Sequence, residues 1–346
     1  MSEDLVIRLR WQAEACLNNG SPLYAHLCAC LADDVEARGP SAGLLRPAAG
    51  HAFPSLGLLA AVHRLALKGE APDVARHYPS TGGDGDHTRA WQAVRAVLAD
   101  RADALHGAAL ETPQTNEVGR SASLVGGFLT VAAEHHKPLR VLEVGASAGL
   151  NLRFDGYRYE QRRSGCGPVE SPLVMRDLWP DAIPPFDAPL EVIDRRGCDL
   201  RPIDPTSDDG QLTLLGAVWP DQLDRIARLR TALEVAARFP VDIDRADVAE
   251  WLVARLAAPT PGVATVVFHS LVWPFLPDET RDAFMTTLAR AGSIASTKSP
   301  FAWLRLEPVM ESAPDQLGEL RLTTWPAGDE RLLARCTFHY GPVRWL

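Results

Sequence analysis

Residues 139–152 read LRVLEVGASAGLNL, and this stretch decides the fold. Val141 to Val144 form a short, mostly apolar run that is typical of a buried strand. Gly145-Ala146-Ser147-Ala148-Gly149 follows, and its two glycines permit a tight turn and a close approach of a ligand to the backbone. The patterns before this stretch are mainly helical, whereas those after it alternate between strands and helices. We therefore predict that it contains the first strand of a nucleotide-type α/β sheet.

Length, charge and cysteine content narrow the class of protein. The 346 residues suffice for one large domain or two ordinary ones. A formal net charge of -9 disfavours a nucleic-acid partner. No apolar run is long enough to span a bilayer, and the charged N-terminal residues do not resemble a secretory signal. The six scattered cysteines predict reduced thiols in a cytoplasmic protein, with no metal site, and the oligomeric state stays open.

The chain divides into two predicted domains. Residues 1–110 carry apolar positions at helical spacing and no strand-like run, which predicts an all-helical N-terminal subdomain. Residues 111–346 are predicted to form the α/β domain. Its residues 153–189 are rich in Pro and Gly, do not resemble a single crossover helix, and are predicted to be an insertion at the ligand face.

Further strands are predicted after the glycine turn. The second begins at Leu190 and runs to about Asp194 or on to Leu200, and the later ones cover residues 240–247, 265–273 and 301–307. Residues 319–325 and 332–340 resemble a terminal antiparallel pair. We therefore expect a mostly parallel sheet that ends in antiparallel strands at the C-terminus.

Acidic residues follow two of these strands. An acid at the tip of the second strand of such a sheet accepts hydrogen bonds from ribose hydroxyls. Asp194 and Asp199 compete for this role, and the pattern Gly-x-Asp-Leu-x-Pro favours Asp199. Asp247 and Val248 follow the third strand, where a carboxylate could accept a bond from an adenine amino group. Each aspartate could instead simply cap the helix that follows it.

The segment 111–121 allows two interpretations. In one, Thr115 or Asn116 caps a helix that runs to about His136, with Glu117 in its first turn. In the other, the polar side chains of Asn116, Glu117 and Arg120 line a ligand site, because a helix that leads into the first strand begins near the carboxyl ends of the strands.

His269 and Ser270 end the clearest buried strand. A lone histidine is usually structural, but this position, across from the first strand, favours a ligand-facing or acid/base role for His269. Trp273 adds an aromatic wall beside it.

Three chemistries use a strand, a glycine turn and a helix. The dinucleotide fingerprint Gly-x-Gly-x-x-Gly lacks its middle glycine here. Residues 145–149 match the nucleophile elbow Gly-x-Ser-x-Gly, with Ser147 as nucleophile and His269 or His339 as base. However, several strands precede that elbow in α/β-hydrolases, and only helical patterns precede it here.

The third chemistry fits the sequence best. Val-Leu-Glu-Val-Gly-x-x-x-Gly resembles motif I of the class I S-adenosylmethionine-dependent methyltransferases. Asp199 resembles the ribose-binding acid of that family, and Asp247-Val248 its adenine-contacting pair. The resemblance covers about residues 115–346 and implies a Rossmann-like, class I methyltransferase-like fold. It departs from the family at Ser147, which replaces the central glycine.

Nearly the full chain is similar to a more particular group, the bacterial domain-of-unknown-function family 2332. The matching elements are Tyr78-Pro79-Ser80, residues 115–121, residues 143–152, residues 196–200 and Phe268-His269-Ser270. This resemblance implies no known substrate.

These resemblances imply methyl transfer from S-adenosylmethionine to a small molecule. The methionine end of the cofactor would be held by the first strand and its turn, at Glu143, Gly145, Ala146, Ser147 and Gly149. His269 would deprotonate the acceptor, and the predicted lining of the substrate pocket is Asn116, Glu117, Arg120, Tyr157 and Trp273. The alternatives are a non-catalytic protein that binds this cofactor or another nucleotide, and a serine hydrolase that uses Ser147.

Overall fold

The computed structural model describes residues 2–309 and 317–346, which form two compact units. The first unit comprises the residues up to 115 together with residues 205–230, and the second comprises residues 116–204 and 231–346. The sequence predicts that residues 205–230 belong to the second domain, 111–346. That predicted domain also contains residues 310–316, which lie outside the described residues. The segment 205–230 instead interrupts the α/β unit in the chain and belongs to the helical one.

Helices make up nearly all the regular structure of the first unit and also flank the strands of the second. The described residues form α1 (Ser2–Asn18), α2 (Pro22–Glu36), α3 (Pro40–Leu45), α4 (Pro54–Leu67), α5 (Pro72–Ala75), α6 (His87–Asp100), α7 (Ala102–Leu105), α8 (Ser121–His135), α9 (Asp208–Ala217), α10 (Leu223–Arg238), α11 (Val248–Arg255) and α12 (Asp278–Ser293).

The helical unit is held together by the apolar stripes that the sequence predicts. Leu9 of α1 and Leu27 and Leu31 of α2 are at most 1% exposed and share one core. Within this unit His63 of α4 is fully buried, and its Nδ1 lies 3.2 Å from the carbonyl oxygen of Gly216 in α9. That contact ties residues 205–217, for which the sequence predicts no helix, to the N-terminal helices.

The strands lie in the second unit. They are β1 (Leu139–Val144), β2 (Arg158–Gln161), β3 (Ser164–Cys166), β4 (Val174–Arg176), β5 (Val192–Asp199), β6 (Asp242–Arg245), β7 (Ala264–Ser270), β8 (Phe301–Pro308), β9 (Leu317–Trp325), β10 (Asp329–Thr337) and β11 (Val343–Trp345).

Eight of these strands form one mixed sheet in the order β11-β10-β9-β8-β7-β1-β5-β6. The five strands β6, β5, β1, β7 and β8 are parallel, and β9, β10 and β11 continue the sheet in antiparallel fashion. The prediction of a mostly parallel sheet with antiparallel strands at the C-terminus is confirmed. The final strand β11 was not predicted, because it is only three residues long and directly follows Gly341-Pro342.

The sheet is buried on both faces where the parallel strands lie. Every residue of β7 is buried, as expected for a central parallel strand. On one face Phe268 of β7 packs edge-on against Phe128 of α8, with ring centroids 5.0 Å apart. On the other face Val267 shares a core with Phe284 of α12. Alternate residues of β1 and β7 therefore point to different helical layers.

Two local features differ in detail from the sequence prediction. The 153–189 segment contains a small three-stranded sheet in the order β3-β2-β4, in which β2 and β3 pair in antiparallel fashion. The helix toward β1 begins with a 3₁₀ turn at Val118–Arg120, and Glu117 caps it by accepting a bond from the Gly119 N–H at 3.1 Å. The prediction that Thr115 or Asn116 is the cap was wrong, because Glu117 has this role and Asn116 Oδ1 instead accepts a bond from the Leu150 N–H just after the glycine turn.

Candidate ligand site at the carboxyl edge of the sheet

The carboxyl ends of the five parallel strands meet at one edge of the sheet. The terminal residues there are Val144, Asp199, Arg245, Ser270 and Pro308. The order of the strands along the chain reverses between β1 and β7, so that consecutive strands depart from β1 in opposite directions. In open α/β sheets a ligand crevice lies at such a reversal, outside the carboxyl ends of the strands.

The turn after β1 has three residues in the left-handed region. Gly145 and Gly149 each have φ of +66°, and Ser147 has φ of +52°. A Cβ on Gly145 would lie 2.4 Å from Cγ2 of Val272, so glycine is required there on two grounds. Ser147 accepts the strained conformation because its N–H donates to Oδ2 of Asp199 at 2.9 Å.

The N–H groups of this turn bond mainly within the protein. Ala146 N–H donates to the Cys198 carbonyl at 3.0 Å, and Gly149 N–H donates to the Ala146 carbonyl at 2.7 Å. A 3₁₀ helix, Asn151–Gly156, follows in place of an α-helix. This part of the described chain therefore does not offer the open N–H groups at an α-helix N-terminus that bind phosphate.

Glu143 is the most unusual ionisable group at this edge. Its side chain is 2% exposed, and its Oε2 has no hydrogen-bond partner among the described residues. Burial raises the pKa of this carboxyl well above its ordinary value of 4.5, and the positive charge of Arg153 only partly opposes the rise. A buried acceptor without a donor is costly, which makes Glu143 a candidate for pairing with a ligand.

Asn151 provides a buried donor on the same side of the sheet. Its Oδ1 accepts a bond from the Ser121 hydroxyl of α8 at 2.7 Å, while its Nδ2 has no hydrogen-bond partner within the described part of the chain. Glu143 also points toward the α8 layer, because it lies in register with Phe268. Sequence reasoning did not single out Asn151, although a polar residue in the apolar run after the turn was a usable signal.

The Arg153 side chain anchors the turn after β1 by donating hydrogen bonds to backbone carbonyl groups of the turn. Its side chain is 2% exposed, its Nη1 donates to the Ala148 and Gly149 carbonyls at 2.9 Å, and its Nε donates to the Phe239 carbonyl at 2.7 Å. Burial lowers the pKa of this guanidinium. Its role was also missed, since nothing in the sequence distinguishes it from a surface arginine.

The structure separates the two aspartates that compete on the second strand. Asp199 ends β5 at the carboxyl edge, where its oxygens accept bonds from the N–H groups of Ser147 and Arg201. Asp194 lies in register with Arg140 near the start of β1 and bonds its side chain at 3.1 Å. Of these two aspartates, Asp199 is therefore the one at the carboxyl edge. Ribose binding by Asp199 stays a prediction.

Asp247 has the contacts of a helix cap. Its carboxylate accepts a bond from the Ala249 N–H at 2.8 Å at the start of α11, and Val248 beside it is buried. This geometry matches the helix-cap alternative, and an adenine contact by either residue stays a prediction.

His269 points away from Glu143. It follows Phe268 on β7, so it faces the α12 layer, where its ring lies 5.7 Å from that of Phe284. It is 1% exposed, and both ring nitrogens have partners, Nδ1 with Glu307 at 2.7 Å and Nε2 with the Trp303 N–H at 3.1 Å. These are the contacts of a structural histidine and do not favour the predicted acid/base role.

The five predicted lining residues hold the edge together. Asn116 Oδ1 accepts the Leu150 N–H at 2.9 Å, and the Tyr157 hydroxyl donates to the Leu150 carbonyl at 2.6 Å. Arg120 donates to the Ser270 carbonyl at 3.3 Å and to the Phe338 carbonyl at 3.2 Å. Glu117 caps the turn before α8, and Trp273 stacks on His269 with ring centroids 5.9 Å apart. Substrate contacts by these residues stay predictions.

Comparison with known proteins identifies the family. The eight-stranded, mostly parallel sheet with its helices places the chain among the mixed α/β proteins. The chain belongs to the family described as "uncharacterized protein conserved in bacteria (DUF2332)", whose model matches residues 7–345. No curated protein and no solved structure matches the chain.

No helix within residues 2–309 and 317–346 is long and apolar enough to cross a bilayer. In the same ranges, no group of three or more His, Cys, Asp or Glu side chains is arranged to hold a metal ion.

Proposed function

We propose that this protein binds S-adenosylmethionine at the carboxyl edge of its sheet and transfers the methyl group to a small molecule. In chain order the parallel strands lie third, second, first, fourth and fifth across the sheet, the order of doubly wound nucleotide-binding sheets. The glycine turn follows the first strand, as it does in the class I methyltransferases that the sequence resembles. These features support a methyltransferase-like fold.

The buried Glu143 carboxyl carries the proposal. Its Oε2 needs a donor, and an ammonium group on a ligand would supply one together with the opposite charge. The Asn151 Nδ2 needs an acceptor, which a ligand carboxylate would supply. An amino acid end such as that of S-adenosylmethionine carries both groups, so the two unpartnered atoms fit this cofactor.

The acids at the other strand ends fit the rest of the cofactor. The proposal assigns the ribose hydroxyls to Asp199, whose two oxygens are oriented at this edge by backbone N–H groups. The proposal assigns the adenine to Asp247 and Val248. The cofactor, when bound, supplies an activated methyl group. The protein contributes mainly by holding the reacting groups in line.

Calorimetric titration with S-adenosylmethionine and S-adenosylhomocysteine tests this proposal. We expect binding by the wild-type protein and at least about 30-fold weaker binding by Glu143→Gln, since removal of one partner of a buried charge pair costs about 2 kcal/mol or more. Asp194→Asn is the control, because Asp194 lies at the opposite end of β5. Unchanged affinity in Glu143→Gln, or no binding by the wild type, would contradict the proposal.

One observation favours a second function, that of a serine hydrolase. Ser147 has φ of +52°, and a nucleophile elbow also holds its serine in a strained turn. The engagement of both His269 nitrogens weighs against a Ser147–His269 pair. Covalent labelling by a fluorophosphonate that disappears in Ser147→Ala would support the hydrolase. Cofactor binding without turnover on any acceptor would support the non-catalytic alternative.

A further inference from the structure

Glu307 at the end of β8 has an unequal distribution of hydrogen bonds on its carboxylate. Its Oε1 accepts bonds from His269 Nδ1 at 2.7 Å, from Val272 N–H at 3.0 Å and from Trp273 N–H at 3.3 Å. Its Oε2 is buried and has no hydrogen-bond partner among the described residues. The carboxylate is therefore rigidly oriented through one oxygen, while the other oxygen lacks the donor that a buried acceptor requires.

The neighbouring His269 is held between Trp303 and Glu307 and orients the Glu307 carboxylate. Trp303 Nε1–H donates to His269 Nε2 at 3.1 Å, so this ring nitrogen is an acceptor. The proton then resides on Nδ1, which donates to Glu307. The polar end of the pair is consequently Glu307, which the sequence does not single out.

The charge on Glu307 is stabilised by dipoles, and its neighbouring arginines have other partners. Three N–H donors on Oε1 stabilise the negative charge of the carboxylate. Of the nearby guanidinium groups, that of Arg281 pairs with Asp278 at 3.0 Å and that of Arg305 pairs with Glu330. A cationic donor would thus satisfy both the charge and the unpartnered oxygen of Glu307.

Glu307 lies at the same edge as the candidate cofactor site. Ser270, the last residue of β7, is in register with Leu306, so Glu307 stands one position beyond the end of β7. The half-buried Trp273 follows β7 and presents an aromatic ring stacked on His269. The Trp273 backbone N–H is bonded to Oε1 of Glu307, so the carboxylate stands beside this ring at the end of the strand.

We propose that Glu307 Oε2 binds the ammonium group of a small-molecule ligand at this edge. The identification of that ligand as the methyl acceptor rests on the proposed function, and it makes the acceptor an amine-bearing small molecule. His269 is then a positioning residue that acts through Glu307. The backbone N–H groups of Val272 and Trp273 are bonded to the same carboxylate, so they report on its occupancy.

An NMR titration with methylammonium chloride tests this inference. The backbone amide resonances of Val272 and Trp273 are followed in the wild-type protein, with and without S-adenosylhomocysteine. We expect a saturable shift with a Kd on the order of 10 mM, the strongest binding that two non-hydrogen atoms can provide. Tetramethylammonium chloride, a cation without an N–H donor, should produce no saturable shift. Equal responses to the two cations would overturn the inference.

Two variants locate the response. Glu307→Gln should lose the methylammonium shift, because its amide cannot supply both the charge and the acceptor at Oε2. Glu279→Gln removes the same formal charge from an exposed position in the first turn of α12 and should retain the shift. A retained shift in Glu307→Gln would contradict the inference. Should that variant not fold, the comparison of the two cations on the wild-type protein remains decisive.

The same titration separates the two proposals. A methylammonium response without S-adenosylhomocysteine binding would contradict methyl transfer and support amine recognition by Glu307. Binding of S-adenosylhomocysteine without a methylammonium response would contradict the role of Glu307 alone.

Discussion

At the scale of single residues, the side chains that neighbour the turn after β1 determine which residues the turn can contain. Gly145 and Ser147 share a left-handed backbone, but a Cβ at Gly145 would also clash with a neighbour, Val272. Ser147 is stabilised by the bond from its N–H to Asp199. The β5 tip thus holds the turn of β1 in shape, so the same aspartate that is proposed to bind ribose also preorganises the turn.

Gly145→Ala should strongly destabilise the protein. Positive φ costs a non-glycine residue about 1–2 kcal/mol, and the clash with Val272 adds about 1–3 kcal/mol. We therefore expect a loss of about 2–5 kcal/mol in the free energy of unfolding, measured by urea denaturation. Gly43→Ala in α3 is the control, since a Cβ added there would enter open space and helix propensity favours alanine. Equal losses in both variants would refute this account of the turn.

At the scale of elements, the acidic side chain of Asp244 adds to the backbone pairing that joins the edge strand β6 to β5. Asp244 accepts bonds from Arg196 of β5 at 2.9 Å and from Trp251 and Arg255 of α11 at 2.7 and 2.8 Å. The Arg196 hydrogen bond is the main cause that lowers the pKa of Asp244 to about 2. A single carboxylate therefore connects two strands and the helix that follows β6.

Asp244→Asn should weaken this attachment. We expect the free energy of unfolding at pH 7 to fall by about 1–2 kcal/mol, because charge-assisted bonds to two arginines are lost. The lowered pKa means that the wild-type contribution is present above pH 3.8 and is lost as the pH falls toward 2, so the two proteins should converge in acid.

Asp242→Asn is the matched control on the same strand. The Asp242 side chain is 78% exposed and lies 3.7 Å from Arg196, so its loss should cost less than about 0.5 kcal/mol. A pH-independent difference between wild type and Asp244→Asn would contradict the charge-based explanation.

At the scale of the whole molecule, the spacing of apolar residues predicted the helices and strands. Contacts between residues far apart in the sequence determine which side chains form the candidate site. The apolar run of β7 and the glycine turn after β1 were sufficient to predict a parallel sheet, because burial on both faces leaves a local signature. The assignment of residues 205–230 to the helical unit was not predictable, since it depends on contacts such as that of His63 with Gly216.

The candidate site was predictable only in part for the same reason. The sequence predicts Glu143 and Asp199 as site residues because each lies at or near the end of a strand. The acid/base role of His269 was predicted from its residue type and strand position, whereas its contacts in the structure are with Glu307 and Trp303 of the neighbouring strand β8. Which atoms lack a partner cannot be read from spacing.

The central claim is that Glu143 receives the ammonium group of an S-adenosyl ligand. Burial raises the pKa of Glu143 and so shifts the ligand-free carboxyl toward its protonated form, whereas an arriving ammonium shifts it back toward the carboxylate. Binding should therefore release a proton, and affinity should rise with pH through the raised pKa of Glu143.

Calorimetric titration of S-adenosylhomocysteine in two buffers of different ionisation enthalpy measures this directly. The account predicts a binding heat that differs between the buffers in the direction of proton release, and no such difference for Glu143→Gln. Absence of binding, or the same buffer dependence in both proteins, would contradict it.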